Sequence, residues 1–120
     1  MGTPHISFAE KLLLNALKEY IQKEKIQTQV LIEGVIEVGG RRKRIEHYVD
    51  ILIDGTYAIE VDGPHHFYNQ KCKERDKEVN RMLREKGLIV IRISALKIYK
   101  NAKRVAKEEI LSLINPYIKF

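Results

Sequence analysis

Tyr48-Val49-Asp50-Ile51-Leu52-Ile53-Asp54-Gly55-Thr56-Tyr57-Ala58-Ile59-Glu60-Val61-Asp62 is the stretch on which the fold turns. Two runs rich in β-branched and aromatic residues flank an Asp-Gly turn signal, the pattern of a β-hairpin. Tyr57 to Asp62 alternates strictly, so Glu60 and Asp62 leave the same face of their strand. Asp50 sits in the middle of an otherwise apolar run. Facing residues on paired strands share a face, so the loop length decides where Asp50 points. A two-residue loop of Asp54-Gly55 sets Asp50 against Ile59, on the wrong face for Glu60. A three-residue loop, Asp54-Gly55-Thr56, sets Asp50 against Glu60.

Working outward, Gly63-Pro64 breaks the ladder and opens a loop through Asn69. A helix is expected from about Lys71 to Lys86, with Cys72, Asp76, Val79 and Leu83 as its stripe and Gly87 as its stop. Leu88 to Ile93 is a short apolar strand ending at Ser94. Asn101 caps a last helix striped by Val105, Ala106, Ile110, Leu113 and Ile114, and Pro116 ends it. Upstream, Ser7-Phe8-Ala9-Glu10 reads as a capping box. It opens a helix carrying Leu13, Leu14, Leu17, Tyr20 and Ile21, closed by Lys23-Glu24-Lys25. Gln29 to Val38 reads as a strand, Gly39-Gly40 as a turn followed by Arg41-Arg42-Lys43-Arg44, and Ile45 to Ile53 as the next strand. The order α-β-β-β-α-β-α predicts an α/β domain, residues 1–120, with a mixed β-sheet and flanking helices.

Composition narrows the function classes. The chain has 120 residues, 44% hydrophobic, which suits one globular domain rather than a disordered tail. Its apolar runs are far shorter than the roughly 20 residues of a membrane span, so no membrane partner is expected. A single cysteine excludes an internal disulfide and a cysteine zinc cluster, and points to a reducing cytoplasmic, intracellular setting. The net charge is +6 and the pI about 9.4, a balance that attracts polyanions such as nucleic acid.

The acidic centre carries the chemistry. Two carboxylates side by side on a central strand are costly unless something pairs with them. A divalent cation does so directly, and oxygen-only ligation by Asp50, Glu60 and Asp62 suits Mg²⁺ or Mn²⁺. Asp76 lies on the apolar stripe of its helix, and Glu10 leans toward the core. Either could join the site, although a first-turn acid and a capping-box partner are sufficient simpler roles. His65-His66 follows the third strand, where an imidazole beside carboxylates can move protons near neutral pH. Arg41, Arg42, Lys43 and Arg44, with Lys71, Lys73, Arg75 and Lys77 on the helix, form a basic rim suited to phosphates. Solvated charge is the competing account of that rim.

Asp50, then Glu60-Val61-Asp62-Gly63-Pro64-His65-His66, then Asp76 with Leu83, Gly87 and Val90-Ile91-Arg92-Ile93, resembles the very-short-patch-repair-like branch of the PD-(D/E)XK nuclease superfamily. The resemblance runs from Glu10 to Ile114, and Glu60 to His66 is its specific part. The branch includes homing endonucleases with a Glu, Asp, x, His, Asp signature, whose places Glu10, Asp50, His66 and Asp76 would fill. The resemblance implies a restriction-endonuclease-like fold, DNA as substrate and Mg²⁺ as cofactor. It also implies His66 as general base, because Asp62 stands where the superfamily usually has lysine. Related sequences often carry arginine where this chain has Val79. Glu60-Val61-Asp62-Gly63-Pro64-His65-His66-Phe67 is also similar to the core of RAP domains, linked to organellar RNA. Three functions follow as expectations: a Mg²⁺-dependent DNA endonuclease, a non-catalytic RNA-binding module, or a DNA-binding accessory subunit. A double-strand cut by so small a unit would be easiest for a homodimer.

Overall fold

The computed structural model describes residues 6–63, 70–114 and 116, leaving aside the side chains of residues 70–72. Helix α1 spans Phe8–Lys18, and strands β1 (Ile26–Val38), β2 (Arg41–Ile53) and β3 (Tyr57–Asp62) follow. Helix α2 (Gln70–Glu85) leads to β4 (Ile89–Ser94) and α3 (Ala95–Val105), which runs on into a π-helical turn at Ala106–Leu111. The order is α-β-β-β-α-β-α, as the periodicities predict. The four strands lie in the order β1-β2-β3-β4. The first three are antiparallel, and β4 joins β3 in parallel after the α2 crossover.

The β2–β3 connection is the odd-length loop. Ile53 faces Tyr57, Leu52 faces Ala58 and Ile51 faces Ile59. The next pair in this register is Asp50 with Glu60. Asp54 (φ 54°) and Gly55 (φ 63°) both turn through the left-handed region, and the Thr56 N–H donates to the Ile53 carbonyl at 3.0 Å. Asparagine-like short acids tolerate that conformation better than bulky residues do.

Helices cover both faces. Ile51, Ile53, Tyr57, Ile59, Ile91 and Ile93 pack with α1 and α3 in one core. Val49, Leu52 and Ala58 pack with Val79, Met82 and Leu83 of α2 in the other. Val49, Ile51 and Ile53 would share a face in a regular strand. They do not, so β2 changes faces at Asp50. Opposite, Ile26 packs toward α1 whereas Val30 and Ile32 pack toward α2, so β1 changes faces around Gln29. Gln29 has φ 50°, and the ladder pairs Thr28 with Ile51 and Val30 with Val49 on either side of it. The two strands therefore switch together, without loss of register.

Several boundaries differ from the sequence reading. The basic run Arg41-Arg42-Lys43-Arg44 lies within β2, which starts at Arg41 rather than at Ile45, because the Gly39-Gly40 turn returns the chain directly into the ladder. Strand β1 starts at Ile26, and α1 ends at Lys18, with Lys23–Lys25 forming a separate 3-10 turn. The last helical segment begins earlier than Asn101, because the Ser94 side chain accepts from the Leu96 N–H and caps α3. Asn101 is itself non-helical (φ −164°, ψ 90°) and its side chain accepts from the Arg104 N–H at 3.1 Å, so it caps the second half of a kinked helix. No helix among the described residues is long and apolar enough to cross a membrane.

Helix α2 also secures the β1 edge. The Glu78 carboxylate accepts from the Glu37 N–H at 2.7 Å, and Arg81 donates to the Val35 carbonyl at 3.3 Å. Next to the second contact, Gly34 lets Met82 approach the strand: a Cβ there would lie 2.1 Å from Met82 Sδ and 2.7 Å from Cγ. Met82 is buried and has little room to yield. Gly34→Ala should therefore destabilise the protein by about 1–3 kcal/mol, the usual scale of overpacking. Urea unfolding measures it; an unchanged midpoint would show that α2 moves freely over β1.

Candidate active site

Asp50 is the hub of a polar cluster set among the apolar residues that β2 and β3 pack against the helices. At the face switch its carboxylate turns into the gap between β2 and β3, where Oδ2 accepts the Val61 N–H at 2.8 Å. Its other oxygen accepts from Gln29 Nε2 at 3.4 Å. The same amide donates to Glu10 Oε2 at 3.0 Å. Glu10 is 7% exposed. Ser7 does cap α1, accepting from the Glu10 N–H at 3.2 Å, while the Glu10 carboxylate turns inward to Gln29.

Burial pushes the Asp50 carboxyl up to about 8 from its ordinary value near 3.8. The Val61 N–H opposes this, and the nearby Glu60 and Glu10 carboxylates reinforce it. At neutral pH a proton therefore sits within the acidic group.

Glu60 is also buried, 6% exposed, and meets His47 Nε2 at 2.5 Å through Oε1. Glu60 and Asp62 leave the same side of β3 as Ala58, toward α2, as the alternation predicts. Both Asp62 oxygens are engaged by Arg92 of β4, Oδ2 by Nε at 2.9 Å and Oδ1 by Nη2. Arg92 Nη1 donates to Asn80 Oδ1 at 2.9 Å, and Nη2 lies 3.8 Å from Asp76 Oδ2. In the parallel ladder Arg92 stands directly beside Glu60.

The structure thus joins Glu10, Asp50 and Glu60 in one electrostatic group, with Asp62 and Asp76 in an adjoining one around Arg92. Asp62, expected among the metal ligands, is engaged through both oxygens by Arg92. Among the described residues, no three His, Cys, Asp or Glu side chains already stand in a metal-binding arrangement. His66 lies outside the described residues, as does the Lys71 side chain. Arg41, Arg42, Lys43, Arg44, Lys73, Arg75 and Lys77 are all exposed. Sequence reasoning missed Gln29, His47 and the role of Arg92. Arg92 had a signal, as the one charge in the run Ile89-Val90-Ile91-Arg92-Ile93. Gln29 and His47 had none, since a single polar residue in an exposed strand is ordinary.

A mixed sheet between helices with buried acids at its centre defines the class of domain. The chain belongs to the DUF2726 family, described as proteins of unknown function, whose model matches residues 4–111. No curated protein matches the sequence. Among solved structures, a protein named SSO0001 is similar at 16% identity with a TM-score of 0.41. That match covers 89% of this chain, which spans 66% of the length of SSO0001.

The raised Asp50 pKa predicts a pH effect of definite sign. The folded chain holds this proton more tightly than the unfolded one. The stability it contributes is therefore fully present below pH 4 and is lost as pH rises through about 8. Asparagine imitates the protonated acid, so Asp50→Asn should gain stability relative to wild type between pH 5 and pH 8 with chelator present. Parallel pH profiles for the two proteins in denaturant unfolding would contradict the assignment.

Proposed function

We propose that this protein is a divalent-metal-dependent DNA endonuclease that hydrolyses phosphodiester bonds, similar in its site to the PD-(D/E)XK superfamily. The observation that carries the reading is the buried Asp50 carboxyl flanked by two other buried acids, Glu10 of α1, tied to it through the Gln29 amide, and Glu60 of β3, whose charges add to burial in making it keep a proton. The donor set fits a hard cation such as Mg²⁺ or Mn²⁺, which takes carboxylate oxygens. Glu10, Asp50 and Glu60 would hold it, after Glu60 rotates from His47 and Asp50 gives up its proton. A bound ion would supply Lewis-acid stabilisation of the phosphate and a water of lowered pKa.

The chain's own groups would do the rest. Asp62 and Asn80 fix the Arg92 guanidinium beside Glu60. A preorganised guanidinium in a partly dry site stabilises charge on a phosphate as it develops. In this reading Arg92 takes the part of the superfamily's lysine, and Asp62 serves as its anchor rather than as a ligand. His66 would accept the proton of the attacking water, an imidazole being the side chain whose ordinary range suits proton transfer near neutral pH. Arg44 to Arg41 lie six to nine residues along β2 from Asp50, which puts the far end, Arg41, roughly 30 Å of strand away. That is about one turn of duplex, so the hairpin could track phosphates away from the cut.

Plasmid nicking with and without Mg²⁺ or Mn²⁺, alongside an RNA substrate, tests the reading. Divalent-dependent cleavage of DNA is expected, and Arg92→Ala and His66→Ala should each lower it by roughly 10²-fold or more. Binding of RNA with cleavage of neither substrate would instead select the RAP-like module. Metal affinity should rise with pH toward about 8, because the ion displaces the Asp50 proton. Isothermal titration of Mn²⁺ at pH 6 and pH 8 measures this, and equal affinities would contradict it. Neutralising Arg41, Arg42, Lys43 and Arg44 should lower the log–log salt slope of duplex binding by roughly 0.9 for each phosphate that these side chains neutralise in the wild type. An unchanged slope would make the hairpin charge merely solvated.

A further inference from the structure

The roles proposed above leave Gln29 unassigned. It sits across from Asp50, at the position where β1 and β2 change faces. Its φ of 50° lies in the left-handed region, which glycine enters freely and a glutamine enters under strain. If the backbone turn alone mattered, glycine would be the natural residue. Here the strained position carries a long side chain whose amide reaches two acids from different elements. Nε2 donates to Glu10 Oε2 at 3.0 Å and to Asp50 Oδ1 at 3.4 Å. The chemistry of the side chain is selective as well. A primary amide offers two N–H donors, one for each carboxylate, and brings no charge. A lysine or arginine there would compete with a cation, and a glutamate would add another repelling acid. Strain kept at a residue that ties functional groups together is characteristic of sites that need fixed geometry.

We infer that Gln29 is a positioning residue for the divalent-metal site, its amide holding the Glu10 and Asp50 carboxylates in fixed relation so that one ion can take both. The inference rests on the metal-dependent reading above and adds to it a residue that touches neither ion nor substrate. The alternative role is structural: the amide merely relieves repulsion between two buried acids in the metal-free fold. The two roles differ in what a glycine does. Gln29→Gly removes the amide and also the backbone strain. Gln29→Asn keeps an amide in a residue that tolerates positive φ, but one methylene too short to reach both acids.

The experiment measures two quantities for wild type and both variants: the melting temperature with chelator, and Mn²⁺ affinity from the electron paramagnetic resonance signal of the free ion. For a positioning residue, both variants should fold and bind Mn²⁺ roughly 10–100-fold more weakly, the usual effect of removing a partner of a metal ligand, whatever the change in their melting temperature. Lower melting temperatures with unchanged Mn²⁺ affinity, or failure of both variants to fold, would assign Gln29 to the fold and overturn the inference. Tighter Mn²⁺ binding by the variants would also overturn it, by showing that the amide occupies the cation's place. If wild type itself binds no Mn²⁺, the metal reading falls and this inference with it. Equal binding by all three proteins overturns this inference alone.

Discussion

The hydrogen bond from the Val61 N–H to the Asp50 carboxylate, 2.8 Å long, is the contact on which the rest of the centre depends. It lies where the β2–β3 ladder stops, one pair beyond Ile51 and Ile59. A side chain there takes a donor that would otherwise seek a neighbouring strand, and so the strands can part without orphaning it. The opening makes room for Asp50 between two helix layers. The same position lets β2 leave the α1 side of the sheet and continue against α2. One residue thus ends a ladder, turns a strand and places an acid in the interior.

Such an acid is expensive to bury, and the surroundings show how the cost is offset. The Asp50 carboxyl keeps a proton, Gln29 supplies an amide to it and to Glu10, His47 meets Glu60, and Arg92 meets Asp62. Among the described residues no buried side-chain polar atom lacks a hydrogen-bond partner. These are weak or exchangeable counterparts for carboxylates, apart from the bidentate Arg92 pair, which is strong. Hydrophobic residues of similar volume could have filled the same space at no greater cost in stability. Retaining acids there is better explained by binding than by folding.

Much of this was legible in the residues. The odd loop at Asp54-Gly55-Thr56 followed from asking which length lets Asp50 face Glu60, and the register has that length. The shared face of Glu60 and Asp62 followed from alternation alone. Glu10 leaned toward the core by its spacing from Leu13 and Leu14, and it is buried. The face switch was not legible, because period-two patterns assume a regular strand and Gln29 is not a residue that announces positive φ. The engagement of Asp62 by Arg92 was hidden for a different reason: it joins β3 to β4 across the α2 crossover, and sequence order carries no register for parallel neighbours. The basic run reads as a stretch ahead of the strand because it lacks a strand's apolar alternation, yet on an outlying hairpin arm both faces of a strand can be solvated.

Whether side chains take a cation, and which ones, is the question on which the proposed metal centre stands or falls. Crystals grown with Mn²⁺ and measured at the manganese absorption edge answer it directly, because the anomalous peak marks the ion without assumptions about activity. A peak is expected in contact with the Asp50 and Glu60 carboxylates, with Glu10 adjoining and Asp62 still paired with Arg92. A peak held by Asp62 with Arg92 displaced, or no peak in the gap between β2 and β3, would contradict the assignment.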